Sequence, residues 1–384
     1  DNPKLQKKAI AVIGASERTV VVTSSYEARS LGVKTGMNKF EAKRICPQII
    51  FVEANHEKYT QACNEIVRVL YRFSPDLEVY SIDESFLDIT GVVRLFGEPL
   101  EIGRKIKQAI LAKVHLSCSI GIAPNKLLAK LASSKAKPDG LFQIKEEEVA
   151  SLLKDLPVEQ LWGIGRRTQE ILNGIGIYTC SQLARADVLS LRKRFGIMGE
   201  TLKGMARGED DASVMPFGYE SKAKSIGHSM TLPRDISNQD ALLKHILELS
   251  DMVARRMRRE GLLGRTITVI FRYNDFHTFS HQKKLPDATD DTRRIYLTAA
   301  AIVKNTNLVK PIRLLGVSVS ALARPQGELF LFEEDRRCKN LNRTLDLVNE
   351  RFGDGIVTFA SLLQHNECYK VISPSWRPYG VRKY

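Results

Sequence analysis

Residues 77–90 pass from an apolar run (Leu77, Val79, Ile82) into two adjacent carboxylates, Asp83 and Glu84, and back into apolar residues at Phe86, Leu87 and Ile89. Neighbouring residues on a regular strand point to opposite faces. Asp83 and Glu84 can therefore serve one centre only if the backbone reverses between the two runs. The pattern predicts a tight hairpin with its apex near Asp83-Glu84-Ser85. Such a pair suits a hard, oxygen-ligated cation such as Mg²⁺. On these residues alone, an ordinary solvated Asp-Glu turn is the alternative.

At 384 residues the chain is too long for one hydrophobic core, and about two to four domains are expected. Its six cysteines are scattered, with no Cys-x-x-Cys pair, and read as reduced thiols of a cytoplasmic protein. No apolar run is long enough to span a bilayer and no signal peptide opens the sequence, so no membrane partner is expected. Lys and Arg number 58 against 44 Asp and Glu, a net charge of +14. The excess is uneven: residues 220–324 hold 18 basic and 10 acidic residues. A field of that sign attracts a polyanion, with nucleic acid the first candidate.

Along the chain, strands at Ala9–Ile13 and Val20–Thr23 precede a helix at 36–46, started by Gly36 and stopped by Pro47. An amphipathic helix at 56–73 leads into the acidic hairpin. A second helix at 98–114 is followed by an apolar strand, Leu116–Ile122. Helices packed on a sheet follow from this order. Near Asn125 a strand gives way to a helix carrying Lys126, Lys130, Lys135 and Lys137, which Pro138-Asp-Gly140 stops. Lysines at such a junction suit phosphates. Lys130 and Lys135 read as a solvated face, and Lys137, just before the turn, is the better ligand candidate.

Residues 161–184 resemble a helix-hairpin-helix element. Gly163 and Gly165 let the backbone approach a phosphate, the next helix's first amides can donate to it, and Arg166 and Arg167 add charge. Contact of this kind ignores base sequence. An acidic linker, Glu209-Asp210-Asp211, then leads to a β-α-β-β-α-β pattern: strand 222–232, helix 238–260, strands 265–273 and 276–285, helix 290–306, strand 312–322. That predicts an antiparallel sheet with two helices on one face. Ile267, Val269 and Phe271 alternate with Thr266, Thr268 and Arg272, leaving hydroxyls and a cation on the other face. Arg255, Arg256, Arg258 and Arg259 read as a solvated helix end.

Taken together and in order, Ser25-Tyr-Glu-Ala-Arg29, Tyr80–Thr90, Gly121–Asn125, Ala136-Lys-Pro-Asp-Gly140, the helix-hairpin-helix and the β-α-β-β-α-β unit resemble the Y-family, translesion DNA polymerases, most closely the bacterial DNA polymerase IV type. The resemblance implies an α+β multidomain chain with a right-hand polymerase layout: fingers at 1–55, palm at 56–147, helix-hairpin-helix thumb at 148–215, and a β-α-β-β-α-β little finger at 220–323. It implies template-directed, error-prone DNA synthesis, transferring a nucleotide from a dNTP to a primer 3′-hydroxyl with two Mg²⁺ ions. Carried over by residue, Asp83 and Glu84 hold metal, and Thr23, Tyr26, Arg29 and Lys137 bind the triphosphate. Gly163, Gly165 and Arg166, with Arg265, Thr266, Thr268 and Arg272, meet primer–template DNA.

The family also opens with a strand carrying an Asp-x-Asp-Ala-Phe-Phe-like segment, which these residues do not contain. Roughly 20 residues, including the first metal-binding aspartate and a central palm strand, are expected upstream. Without them polymerase activity is expected to be severely reduced, and a truncated, catalytically impaired DNA- and clamp-binding homologue is the alternative reading. In the tail at 324–384, Gln326, Leu329 and Phe330 resemble a sliding-clamp-binding peptide, and residues 340–352 predict a helix. A cytoplasmic, nucleoid-associated monomer completes the expectation.

Overall fold

A computed structural model describes residues 2–16, 18–219, 223–325, 333–353 and 355–363. They form two compact units, one combining the described residues up to 55 with those from 223 to 363, the other spanning 56–219. The mixed α+β class matches the expectation.

The first unit opens with β1 (Ile10–Ile13), β2 (Val21–Ser24), α1 (Tyr26–Ser30), α2 (Lys39–Ile45) and β3 (Ile50–Glu53). β1 is central, antiparallel to β2 and parallel to β3. Ser25 ties α1 to this sheet. Its hydroxyl accepts from the Ile10 and Ala28 amides at 3.1 and 3.3 Å and donates to the Lys8 carbonyl at 3.0 Å. Helix α2 starts later than Gly36. Asn38 accepts from the Glu41 amide at 2.9 Å while Glu41 accepts from the Asn38 amide at 3.0 Å. This reciprocal cap, worth about 1 kcal/mol, sets the boundary.

The second unit begins with α3 (His56–Tyr71), then β4 (Leu77–Val79), β5 (Ser85–Leu87), α4 (Val93–Phe96), α5 (Pro99–Val114), β6 (Ile120–Ile122), α6 (Lys126–Lys135) and β7 (Leu141–Gln143). β4 and β5 are the predicted hairpin, with Leu77 opposite Leu87 and Val79 opposite Ser85. Cys63, Val67, Ile102, Ile106 and Ile110 from α3 and α5 bury Leu77 and Val79. The expected strand from Leu116 is shortened to Ile120–Ile122, and the Lys107 ammonium donates to the Cys118 carbonyl in place of a neighbouring strand. Among the described residues, β4–β5 and β6–β7 are separate two-stranded sheets rather than one layer.

Five helices complete this unit: α7 (Val149–Lys154), α8 (Arg166–Asn173), α9 (Cys180–Arg185), α10 (Val188–Phe195) and α11 (Met198–Ala206). Their core of Leu153, Leu172, Leu183, Leu191 and Leu202 is continuous with Leu127, Leu128 and Leu131 of α6. The acidic linker after α11 is tied to the start of α6. Asp210 accepts from the Leu127 and Ala212 amides at 3.0 and 3.1 Å, and Asn125 donates to the Gly208 carbonyl at 2.7 Å. Asp210 thereby satisfies one of the orphan amides at the start of α6.

The rest of the first unit contains β8 (Ser225–Ile236), α12 (Gln239–Glu260), β9 (Leu263–Tyr273), β10 (Thr278–Thr289), α13 (Thr292–Asn305), β11 (Ile312–Ala323) and α14 (Glu333–Phe352). The predicted β-α-β-β-α-β order holds, and the antiparallel sheet runs β10-β9-β11-β8. Ile267, Val269, Phe271, Leu315, Val317 and Val319 are buried against Leu242, Val253, Ile295 and Val303 of the two helices. Each such side chain contributes roughly 1.5–3 kcal/mol.

The arginines at the end of α12 are not a solvated end. Arg258 donates to both carboxylate oxygens of Asp346 on α14 at 2.6 and 2.8 Å and to the Asp290 carbonyl at 2.9 Å. Arg255 pairs with Asp251 at 2.9 Å and Arg259 with Glu350 at 3.7 Å. Helix α14 thus covers part of this surface and begins seven residues before the predicted Asn340. Gln326, Leu329 and Phe330 lie outside the described residues.

Candidate active site and nucleic-acid interface

The hairpin between β4 and β5 reverses through residues 80–84: the Tyr80 and Ser81 amides both donate to the Glu84 carbonyl, at 2.9 and 3.0 Å. Asp83, exposed at the turn, accepts from the Ser81 hydroxyl at 2.7 Å. Cys63 of α3 lies close by; burial first, then the negative charge of Asp83, pushes its thiol up to about 11. Glu84 receives the ammonium of Lys130 from α6. Lys130 is therefore not part of a solvated face, as the sequence suggests. Helix α6 presents it towards the hairpin, because Leu127, Leu128 and Leu131 bury the adjoining stripe and fix the rotation of the helix.

A second lysine, one turn earlier, supports the hairpin from behind. Lys126 is only 9% exposed and donates to Glu78 of β4 at 2.6 Å. Glu78 also accepts from the Met215 amide at 3.0 Å. The Lys126 ammonium sits 5.2 Å from the centre of the Phe86 ring, the residue opposite Glu78. Sequence reasoning missed this pair, since nothing local marks residues 78 and 126 as neighbours.

Asp83 and Glu84 form an oxygen-only donor pair on a turn. Among the described residues, no group of three or more His, Cys, Asp and Glu is placed to hold a metal. Mg²⁺ at phosphate-handling sites takes one or two carboxylates and completes its shell with substrate phosphates and water. The pair fits that role.

In the first unit, Thr23, Tyr26 and Arg29 come together. Arg29 donates to the Thr23 hydroxyl at 3.1 Å and lies 5.2 Å from the Tyr26 ring centre. The cap by Ser25 aims these exposed side chains from one turn of backbone. A cation, a hydroxyl and a phenol so placed can bind phosphate oxygens. Lys137 is exposed at the end of α6.

Gly163 has φ +93°, a left-handed conformation that favours glycine. Gly165 precedes α8 with no side-chain cap, so the first amides of that helix point outward unsatisfied by a side chain. Arg166 is 91% exposed at that helix start and pairs with Glu170 at 2.8 Å. A second turn of the same kind joins α10 to α11: Gly196 has φ +62° and the following Ile197 is 82% exposed. The spacing Gly196-Ile-Met-Gly199 was its signal in the sequence.

On the sheet of β8–β11, Thr266, Thr268 and Arg272 lie on the face opposite α12 and α13, as the alternation predicts. Register extends the row: Thr268 stands between Gln282 and Ser318, and Thr266 between Lys284 and Ser320. Arg272 donates to Thr278 at 2.8 Å, and Arg265 donates to the Pro286 carbonyl. The contributions of β10 and β11 depend on pairing across the sheet, which a single strand does not reveal.

Three family models match in chain order: the impB/mucB/samB family over residues 1–134, its helix-hairpin-helix motif over 146–177, and its C-terminal domain over 223–329. DNA polymerase IV of Oceanobacillus iheyensis is 37% identical over 364 residues, covering 93% of this chain and 86% of that protein. Among solved structures, a Y-family DNA polymerase chimera of Dbh and Dpo4 aligns at TM-score 0.73 with 29% identity, over 84% of this chain and 94% of that one. An insertion ternary complex of Dbh DNA polymerase aligns at TM-score 0.56, with 29% identity and the same coverage. No described helix is long and apolar enough to cross a membrane. Matched by three family models in order and by a DNA polymerase IV 37% identical over 86% of its own length, the chain belongs to the impB/mucB/samB family, the Y-family DNA polymerases of the DNA polymerase IV type.

Proposed function

We propose that this chain carries out template-directed, error-prone DNA synthesis past lesions, transferring a nucleotide from a dNTP to a primer 3′-hydroxyl. The observation that carries the reading is the Asp83-Glu84 turn with Lys130 against it, in the same unit as the Gly163–Gly165 turn. The named relatives are DNA polymerases IV, and one solved neighbour is an insertion ternary complex. In this reading residues 1–55 are fingers, 56–147 palm, 148–215 thumb and 220–323 little finger.

Asp83 and Glu84 would hold two Mg²⁺ ions, which when bound lower the pKa of the attacking hydroxyl and neutralise the leaving pyrophosphate. The protein's own part is placement and charge. Thr23, Tyr26, Arg29 and Lys137 grip the triphosphate. Amides after Gly163 and Gly165, with Arg166, hold backbone phosphates without reading bases. Thr266, Thr268 and Arg272 do the same on the open sheet face, with Arg265 at the start of the same strand. Gln326, Leu329 and Phe330 would dock on a sliding clamp. The protein would act as a cytoplasmic, nucleoid-associated monomer.

The test is primer extension on undamaged and abasic-site templates with Mg²⁺, comparing the native chain with Asp83→Ala and Glu84→Ala. With the expected upstream strand and its metal-binding aspartate included in the protein assayed, the expected result is extension by the unsubstituted form and a loss of at least about a thousandfold in each variant, several kcal/mol of transition-state stabilisation. Unchanged extension in either variant would remove the carboxylates from the chemistry.

A further inference from the structure

We infer that Trp162 is a positioning residue that couples the grip on duplex backbone to the carboxylate hairpin, so that DNA binding and metal–nucleotide binding strengthen each other. The inference rests on the polymerase reading above. The Trp162 indole touches both ends of the Asp83-Glu84 turn at once. Its ring centre is 5.1 Å from that of Tyr80, edge-on at 80°, and 5.5 Å from that of Phe86, tilted at 36°. Tyr80 and Phe86 close the triangle at 5.9 Å. Tyr80 lies three residues before Asp83, and Phe86 two residues after Glu84.

The residue following Trp162 is Gly163, the left-handed glycine that opens the phosphate-gripping turn. One side chain thus spans from that backbone to the two strand ends that carry the acidic pair. On its far side Phe86 meets the Lys126 ammonium, and Lys126 is held by Glu78. Close-packed rings transmit displacement rather than absorbing it. A shift of the Gly163 turn as it meets phosphate therefore moves the hairpin, and a shift of the hairpin on loading moves the turn. A cleft of about 610 Å³, lined by Tyr80, Trp162 and Gly163 among others, lies beside the contact. The triad therefore has open space next to it into which it can move. Thermodynamic linkage makes such coupling reciprocal.

The experiment measures binding, not turnover. The affinity for a fluorescent dNTP with Mg²⁺ is titrated with and without a dideoxy-terminated primer–template. Duplex affinity alone is measured by anisotropy in metal-free buffer. For the native chain the duplex should tighten Mg²⁺–dNTP binding about fivefold or more, the lower end of ordinary coupling. In Trp162→Ala that factor should fall at least about threefold, leaving the part supplied by pairing of the dNTP with the template base, Trp162→Phe should restore part of the loss, and metal-free duplex affinity should stay within about threefold. Trp162→Leu, which keeps apolar bulk without the ring faces, carries the test if the alanine variant does not fold. A native coupling factor near one, or an unchanged factor in the alanine and leucine variants, overturns the inference. So does a loss of metal-free duplex affinity equal to that of Gly163→Ala, which would make Trp162 part of the grip only. Failure of the native chain to bind duplex or Mg²⁺–dNTP at all would instead sink the polymerase reading.

Discussion

Lys126→Met should destabilise the 56–219 unit far more than a lysine substitution normally does. The side chains of Lys126 and Glu78 are 10% and 12% exposed, and their charged atoms are 2.6 Å apart. Removing one partner of a buried pair costs about 3–5 kcal/mol, because the other charge is left without compensation. Glu78 keeps one charge-assisted hydrogen bond, from the Met215 amide at 3.0 Å, so the lower end, about 3 kcal/mol, is expected. In the Glu78→Gln/Lys126→Met double variant no charge is stranded and glutamine can still accept from Met215. That protein should be at least about 1.5 kcal/mol more stable than Lys126→Met alone. The assay is urea unfolding followed by Trp162 emission. The sequence has two tryptophans, and Trp376→Phe leaves Trp162 as the reporter inside the affected unit. With a urea dependence of about 2 kcal/mol per molar, the Lys126→Met midpoint should fall by about 1.5 M. A shift under about 0.3 M, or a double variant less stable than the single, would refute the account of a buried, mutually dependent pair.

Lys130→Ala, which strips Glu84 of its ammonium, should slow primer extension at least about tenfold, roughly 1.4 kcal/mol, while the exposed Lys135→Ala leaves it unchanged; equal rates would return Lys130 to the solvated face. Gly163→Ala forces a Cβ into the left-handed region at a cost of about 1–2 kcal/mol and should weaken duplex binding, measured by anisotropy, about equally across base sequences. Burial, followed by Arg256, holds His228 below its ordinary 6.5, so the folded state resists protonation. The stability gained from keeping it neutral is complete above 6.5 and is lost as pH falls through the lowered folded value; a pH series of melting temperatures should show that loss flattened in His228→Gln. Burial also pushes Cys180 up to about 11, as it does Cys63, so in a Cys368→Ser background a thiol reagent at pH 8 should titrate the exposed Cys338 rapidly and reach Cys63 and Cys180 only on unfolding.

Much of the secondary structure follows from periodicity. The helices at 56–71 and 239–260 and the four strands of the 225–323 sheet carry patterns of 3.6 and 2 that need no tertiary information. The alternation Thr266, Ile267, Thr268, Val269 places the buried and open faces of that sheet, because a pleated strand has only two sides. Errors fell where local signals competed. A capping box at Asn38 overrode the glycine at 36, and Lys107 took the Cys118 carbonyl that a longer strand would have needed.

Chemistry written in adjacent residues was determined by the sequence alone: the Asp83-Glu84 turn, the Ser25-to-Arg29 cluster, the glycine turn at 163–165. Each needs only its own few residues to form, so covalent neighbourhood carries the information. The fate of the long charged side chains was decided by the fold. Lys126 became a buried partner of Glu78, Lys130 the neighbour of Glu84, Arg258 the anchor of Asp346 and Asp210 the cap of α6. A lysine or arginine is equally at ease in water or against a carboxylate, and which it meets depends on chain segments brought together from 46 to 88 positions away.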